Sequence, residues 1–154
     1  MHTRRVIAIA GLLLGFVTLS AGSASDQIRD FADSMAQLIL DDDTEKVYEA
    51  MAPSLRSAYS REQLTAPLRL SRQMHGKLLS YEFRVASFGA RWVFGQRIKF
   101  VQYTYAVPTS LNRKGHFLNV EVTLEGGRYY LAGYSVVQFL GTDEPPFLRS
   151  KKAQ

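Results

Sequence analysis

The hydrophobic period of this chain changes once, at Gly76. Before it, apolar residues recur at helical spacing; after it, they alternate. From Ser25 to Leu40, Ile28, Phe31, Ala32, Met35, Leu38 and Ile39 recur at steps of three and four, which gathers them on one helix face. Asp26, Asp30 and Asp33 lie in the first half, where negative charge complements the helix dipole. The triplet Asp41-Asp42-Asp43 ends this helix, and Asp42 with Glu45 has the capping-box spacing that opens a second. The second helix carries Val47, Ala50 and Met51 inward and stops near Pro53, and Ser54 to Tyr59 allows one further helical turn. Ser60 and Gln63 repeat the capping spacing, so a third helix starts at Arg61. Pro67 lies too deep for the first turn and predicts a kink or a split. Leu64, Leu68 and Met74 point to the core, and Gly76 caps the end.

Beyond Gly76 the period is two. Leu79, Tyr81, Phe83 and Val85 alternate with Ser80, Glu82 and Arg84, giving a strand with one wet face. Phe88 to Gln96 is punctuated by glycine and predicts an irregular segment. Arg97 to Val107 predicts a long strand, broken by Pro108, and Thr109 to Lys114 is a polar loop. The sheet is organised by Gly115 to Leu140. There Leu118, Val120, Val122 and Leu124 alternate with Phe117, Asn119, Glu121 and Thr123, and Gly126-Gly127 permits a tight reversal. A hairpin alone is marginal in water, so the remaining elements must bury it. Helices grouped before a strand meander mean an α+β domain: three N-terminal helices packed on a curved, cone-like antiparallel sheet of about four strands.

The first residues stand apart from that domain. Arg4 and Arg5 precede an apolar run, Val6 to Leu19, and the small residues Ser20 to Ala24, which is the order of a secretory signal peptide. The apolar run is shorter than the roughly 20 residues a spanning helix needs. The expected organisation is therefore a signal peptide at 1–24, one domain at 25–141 and a flexible basic tail at 142–154, with Arg149, Lys151 and Lys152. The expected product is exported, to the periplasm or beyond, and after cleavage near Ala24 is not an integral membrane protein. With no cysteine there is no disulfide and no lipid-attachment site, so the core alone must hold the domain. The formal charge of +5 falls to +3 without Arg4 and Arg5. Export and the even spread of the other cations argue against a nucleic-acid partner.

Three short stretches carry a family likeness: Ser60-x-Glu62-Gln63, Arg72-x-x-x-Gly76-Lys77-Leu78, and Gly127-Arg128-Tyr129-Tyr130-Leu131-Ala132-Gly133-Tyr134. With the element order, they make Asp26 to Phe139 resemble the nuclear-transport-factor-2-like superfamily, and more closely its small exported bacterial families of unknown function. At Tyr129, where relatives usually carry tryptophan, the chain departs from the pattern. The resemblance implies a cone with helices in the sheet's concavity. Enzymes of that superfamily, isomerases and dehydratases, line the cone with carboxylates, histidines and tyrosines.

Candidate chemistry is sparse. His75 and His116 have no ligand-spaced partner and read as surface residues, so neither a metal nor a cofactor is expected. Glu121, mid-strand, is the one candidate general base, although it shares the face opposite Val120 and Val122. Tyr81, Phe83, Tyr103, Tyr105 and Tyr129 could line a pocket for a small apolar ligand, or simply fill the core. On the last strand both faces are apolar: Tyr129, Leu131 and Val137 on one, Tyr130, Ala132, Tyr134 and Val136 on the other. That predicts a homodimer or an envelope protein partner docked on the sheet's convex face. The function expected is a non-catalytic binding domain. The alternatives are an isomerase- or dehydratase-like enzyme, which requires Glu121 and a strand tyrosine to converge in one cavity, and an accessory subunit of an envelope complex.

Overall fold

A computed structural model describes residues 23–112 and 115–138. The expected signal peptide, up to Gly22, and the expected basic tail lie outside the described residues. Four helices, α1 (Ala24–Leu40), α2 (Thr44–Ala50), α3 (Pro53–Ala58) and α4 (Arg61–His75), precede four strands, β1 (Glu82–Val93), β2 (Gln96–Ala106), β3 (His116–Glu125) and β4 (Arg128–Gln138). The strands form one open antiparallel sheet in the order β1-β2-β3-β4. This is the expected α+β arrangement, with the short extra turn, α3, as a helix of its own.

The helix starts follow from their caps. Ser23 and Asp26 form a reciprocal capping box on α1, and Ser60 and Gln63 form one on α4. A cut after Ala24 would take Ser23 away with the leader. The second helix is capped by Asp43, not Asp42: the Asp43 carboxylate accepts from the Lys46 amide, while Asp42 turns through a positive φ of 59° to end α1. That shift also frees the Asp42 carboxylate to pair with Arg72 on α4. Pro67 does not split α4, which stays helical through to His75. Proline leaves the Gln63 carbonyl without its helical donor, and one residue on the Tyr134 hydroxyl donates to the Leu64 carbonyl at 2.9 Å. Met74 faces solvent rather than the core, whereas Leu68 is buried.

The core lies between α1 and the sheet face bearing Tyr103, Tyr105, Leu118, Val120 and Val122, with Ala32, Met35, Ala36 and Ile39 as its helical side. Beyond α2, Met51 bridges Leu131 and the Ala52 amide donates to its carbonyl, which extends the sheet edge at β4. The Ser54 hydroxyl then donates to Glu125 at 2.6 Å and fixes α3 beside the β3–β4 turn.

Two strand expectations change. Leu79 precedes β1, its amide bonded to the Pro108 carbonyl, and β1 starts at Glu82. The stretch from Phe88, expected to be irregular, is regular: β1 runs unbroken to Val93, turns through Phe94 and Gly95, and pairs along its length with β2. The glycine at 89 is a packing device, since a Cβ there would lie 2.5 Å from the Phe100 ring. The last strand also differs. A bulge opposite Glu121 and Val122 admits Ala132 as an extra residue, so Leu131 and Ala132 are both buried despite being neighbours. Of the apolar residues that marked both its faces, only Val137 is exposed. The exposed aromatic rings of the β1–β2 hairpin, Phe88, Trp92 and Phe94, are the largest apolar side chains in solvent among the described residues, with Leu70, Met74, Leu111 and Leu124 exposed elsewhere.

Candidate functional site

Register decides which sequence-marked residues meet. In β2 and β3, Tyr103 faces Val120 and Tyr105 faces Leu118, whereas Glu121 faces Gln102. Directly opposed residues share a sheet face, and neighbours along a strand do not. Glu121 and the two tyrosines therefore sit on opposite faces and do not converge in one cavity.

The aromatic residues do come together, as core. Tyr81 meets Tyr105 edge-on at 5.4 Å between centroids, and Phe83 packs on Tyr105 at 6.1 Å and Tyr103 at 6.2 Å. Helix α1 covers them: the Arg29 guanidinium lies 3.8 Å over the Phe83 ring, and Phe31 packs on Tyr129 at 6.3 Å. The Tyr105 hydroxyl, on a fully buried side chain, donates to Asp33 at 2.7 Å, and Asp33 pairs in turn with Arg29. Burial and the bond to Asp33 push the Tyr105 phenol far above its ordinary range, and burial raises that of Tyr103. Sequence reasoning named the rings, gave Asp33 only as a charge that complements the helix dipole, and did not single out Arg29. The i, i+4 spacing of the pair was the available signal.

Glu121 is held by Arg91. The Arg91 Nη1 atom lies 2.5 Å from Glu121 Oε2, and its Nη2 donates to the Ala132 carbonyl. The carboxylate oxygen is a charge partner without an aligned hydrogen bond, because no donor meets it in line. Since β1 and β4 are the two edges of the sheet, an arginine that spans them shows how far the sheet curls. Gly133 makes room for this contact.

Beneath the hairpin lies the candidate site. A cleft of about 340 Å³ is lined by Leu55, Tyr59, Leu64, Arg91, Gly133 and Tyr134, with Trp92 and Val93 also on its wall. A second, of about 290 Å³, lies between α3 and the hairpin tip and shares Val93 with the first. Both volumes are near the lower end of small-molecule sites. The walls are mainly aliphatic and aromatic, with Gln63, Arg91 and the Tyr134 hydroxyl as polar points in the first cleft and Ser54, Ser57 and Gln96 in the second. Neither a protein-family model nor a curated protein matches the chain. The site's meaning must come from its geometry.

The histidines are also placed differently from expectation. His116 is buried at 3% exposure, and its Nε2 lies 3.2 Å from Nδ1 of His75, which α4 brings alongside. One nitrogen of this pair donates and the other accepts, so at least one ring presents a lone pair. Among the described residues, no group of three or more metal-ligating side chains gathers around them or elsewhere. No helix of the described chain is long and apolar enough to cross a membrane.

Proposed function

We propose that this is an exported domain that acts by binding, and that the cleft beneath the β1–β2 hairpin holds a small, mainly apolar molecule. The observation that carries the reading is the cleft itself: a mainly apolar wall from α3, α4 and β4, flanked on its other side by a hairpin that Arg91 ties to β4 and Thr123 ties to β3. A ligand there would bury hydrocarbon against Leu55, Leu64 and Val93 and present a polar end to Tyr134 or the edge of Arg91. The cone-fold resemblance supports such a use, because it implies a sheet curled around a cavity. Catalysis through Glu121 has less support, since its charge is already matched by Arg91 and the strand tyrosines lie on the other face.

The cleft can be probed with 1-anilinonaphthalene-8-sulfonate, whose emission rises in apolar surroundings. Saturable enhancement is expected for the native chain, and Leu64→Trp, which fills the cleft, should weaken it at least tenfold. Equal affinity in both proteins, with the variant folded by circular dichroism, would rule the cleft out as the binding site.

A further inference from the structure

The β1–β2 hairpin has two unlike faces. Gly89, Arg91, Val93, Ile98 and Phe100 point inward, with Ile98 buried and Phe100 closed over Gly89. The outer face is read from the register: Phe88 opposes Val101, Ala90 opposes Lys99, and Trp92 opposes Arg97. Phe88 is 91% exposed, Trp92 72% and Phe94, at the tip, 75%. Folding does not account for so much exposed aromatic surface on one ribbon.

Charge says what meets it. No aspartate or glutamate occurs between Glu82 and Glu121, a stretch that holds Arg84, Arg91, Arg97, Lys99, Arg113 and Lys114. Arg84 pairs with Glu82 and Arg91 with Glu121. Arg97 and Lys99, on the outer face, have no carboxylate partner among the described residues. The tip adds a second observation. Phe94 sits at φ +46°, a left-handed conformation that a bulky side chain adopts only under strain, and its ring stays largely in solvent with one tilted contact to Tyr59. A residue kept there against its backbone preference points to use of the ring.

We propose that the outer face of the β1–β2 hairpin docks on the surface of an anionic lipid bilayer. Indole and phenyl rings settle at the level of the headgroups, and Arg97 and Lys99 between them meet lipid phosphates. Aromatic side chains and arginine serve protein interfaces as well as membrane surfaces, but lysine is depleted in the former, and here Lys99 lies at the middle of the stripe. Here cations and apolar side chains alternate on one narrow stripe. The proposal does not depend on what the cleft holds.

The chain's only tryptophan, Trp92, lies where this face meets the cleft wall, so its emission is read together with the effect of the charge-reversed pair, which lies on the outer face alone. The full chain is mixed with vesicles of phosphatidylcholine alone, or of three parts phosphatidylcholine to one part phosphatidylglycerol. The anionic vesicles should shift Trp92 emission to the blue and shield it from acrylamide, and added salt should reverse both effects. Each basic residue near an anionic surface is worth a factor of about five in binding, so Arg97→Glu with Lys99→Glu should weaken it at least about 25-fold. Phe88→Ser with Phe94→Ser should abolish the blue shift. All these positions are exposed, and circular dichroism with vesicle-free emission checks that the variants fold. Four results would each overturn the proposal: no shift at low salt, an equal shift with phosphatidylcholine alone, undiminished binding by the charge-reversed pair, or sedimentation with vesicles while Trp92 stays unshifted. The last would mean that another segment holds the membrane. A face reserved for a protein partner would give the first.

Discussion

At Gly133 a hydrogen stands where any other residue would carry a carbon, and that carbon would lie 2.6 Å from Glu121 Oε2 and 2.7 Å from Arg91 Nη2. No backbone strain enters, since Gly133 does not adopt a positive φ. The requirement is space for the one charge pair that crosses the curled sheet. Gly133→Ala should displace Arg91, leave Glu121 half-buried and unmatched, and destabilise the domain by roughly 1–3 kcal/mol in denaturant titration. Unchanged stability would mean that the Arg91 contact contributes nothing to holding the hairpin down. From sequence, Glu121 was visible as a mid-strand carboxylate and Gly133 as part of a familiar run. Their meeting was not visible, because it depends on Arg91 arriving from an edge strand 30 residues earlier in the chain.

At the scale of elements, the helices and β2 were legible and the second half of β1, which completes the first hairpin, was not. Capping residues are local: Ser60 and Gln63 act within one turn, so spacing alone located the start of α4. The Asp41-Asp42-Asp43 triplet offers several caps at equal spacing, and only the left-handed turn at Asp42 selects Asp43. The second half of β1 hid because its period of two is not a period of polarity. Phe88, Ala90 and Trp92 are as apolar outside as Val93 and Ile98 are inside, so alternation left no trace. What obscured the strand is what gives the hairpin its outer face. Phe94 tests this trade directly. Replacing it with asparagine, which tolerates the left-handed region, should stabilise the fold by about 1 kcal/mol while weakening vesicle binding. A loss of stability instead would show that the ring is held by its packing on Tyr59 and not against strain.

Across the whole molecule, the sheet divides its tyrosines by burial, and alkali should reveal the division. Burial pushes the Tyr134 phenol up to about 12 from an ordinary 10, with the Leu68 amide working slightly against it, and raises Tyr105 further. In the folded state these groups hold their protons where the unfolded chain has lost them. Their contribution is therefore complete below pH 10 and falls as the pH rises from 10 towards 12. Absorbance at 295 nm should show Tyr103, Tyr105 and Tyr134 losing their protons only above the ordinary range, in a cooperative step that coincides with loss of helical circular dichroism. Titration of all eight tyrosines as one unperturbed set would contradict the buried placement. The fold class was readable at this scale because helices and strands are grouped along the chain. The site was not, since its walls come from α3, α4, β1 and β4, which only the curled sheet brings together.

The account rests most heavily on the cleft beneath the hairpin, and native mass spectrometry tests it most directly. The chain, isolated gently from its own host, should carry a small apolar molecule that Leu64→Trp, purified in parallel, does not retain. A bare mass for the native chain, or the same retained mass in both proteins, would contradict the central claim.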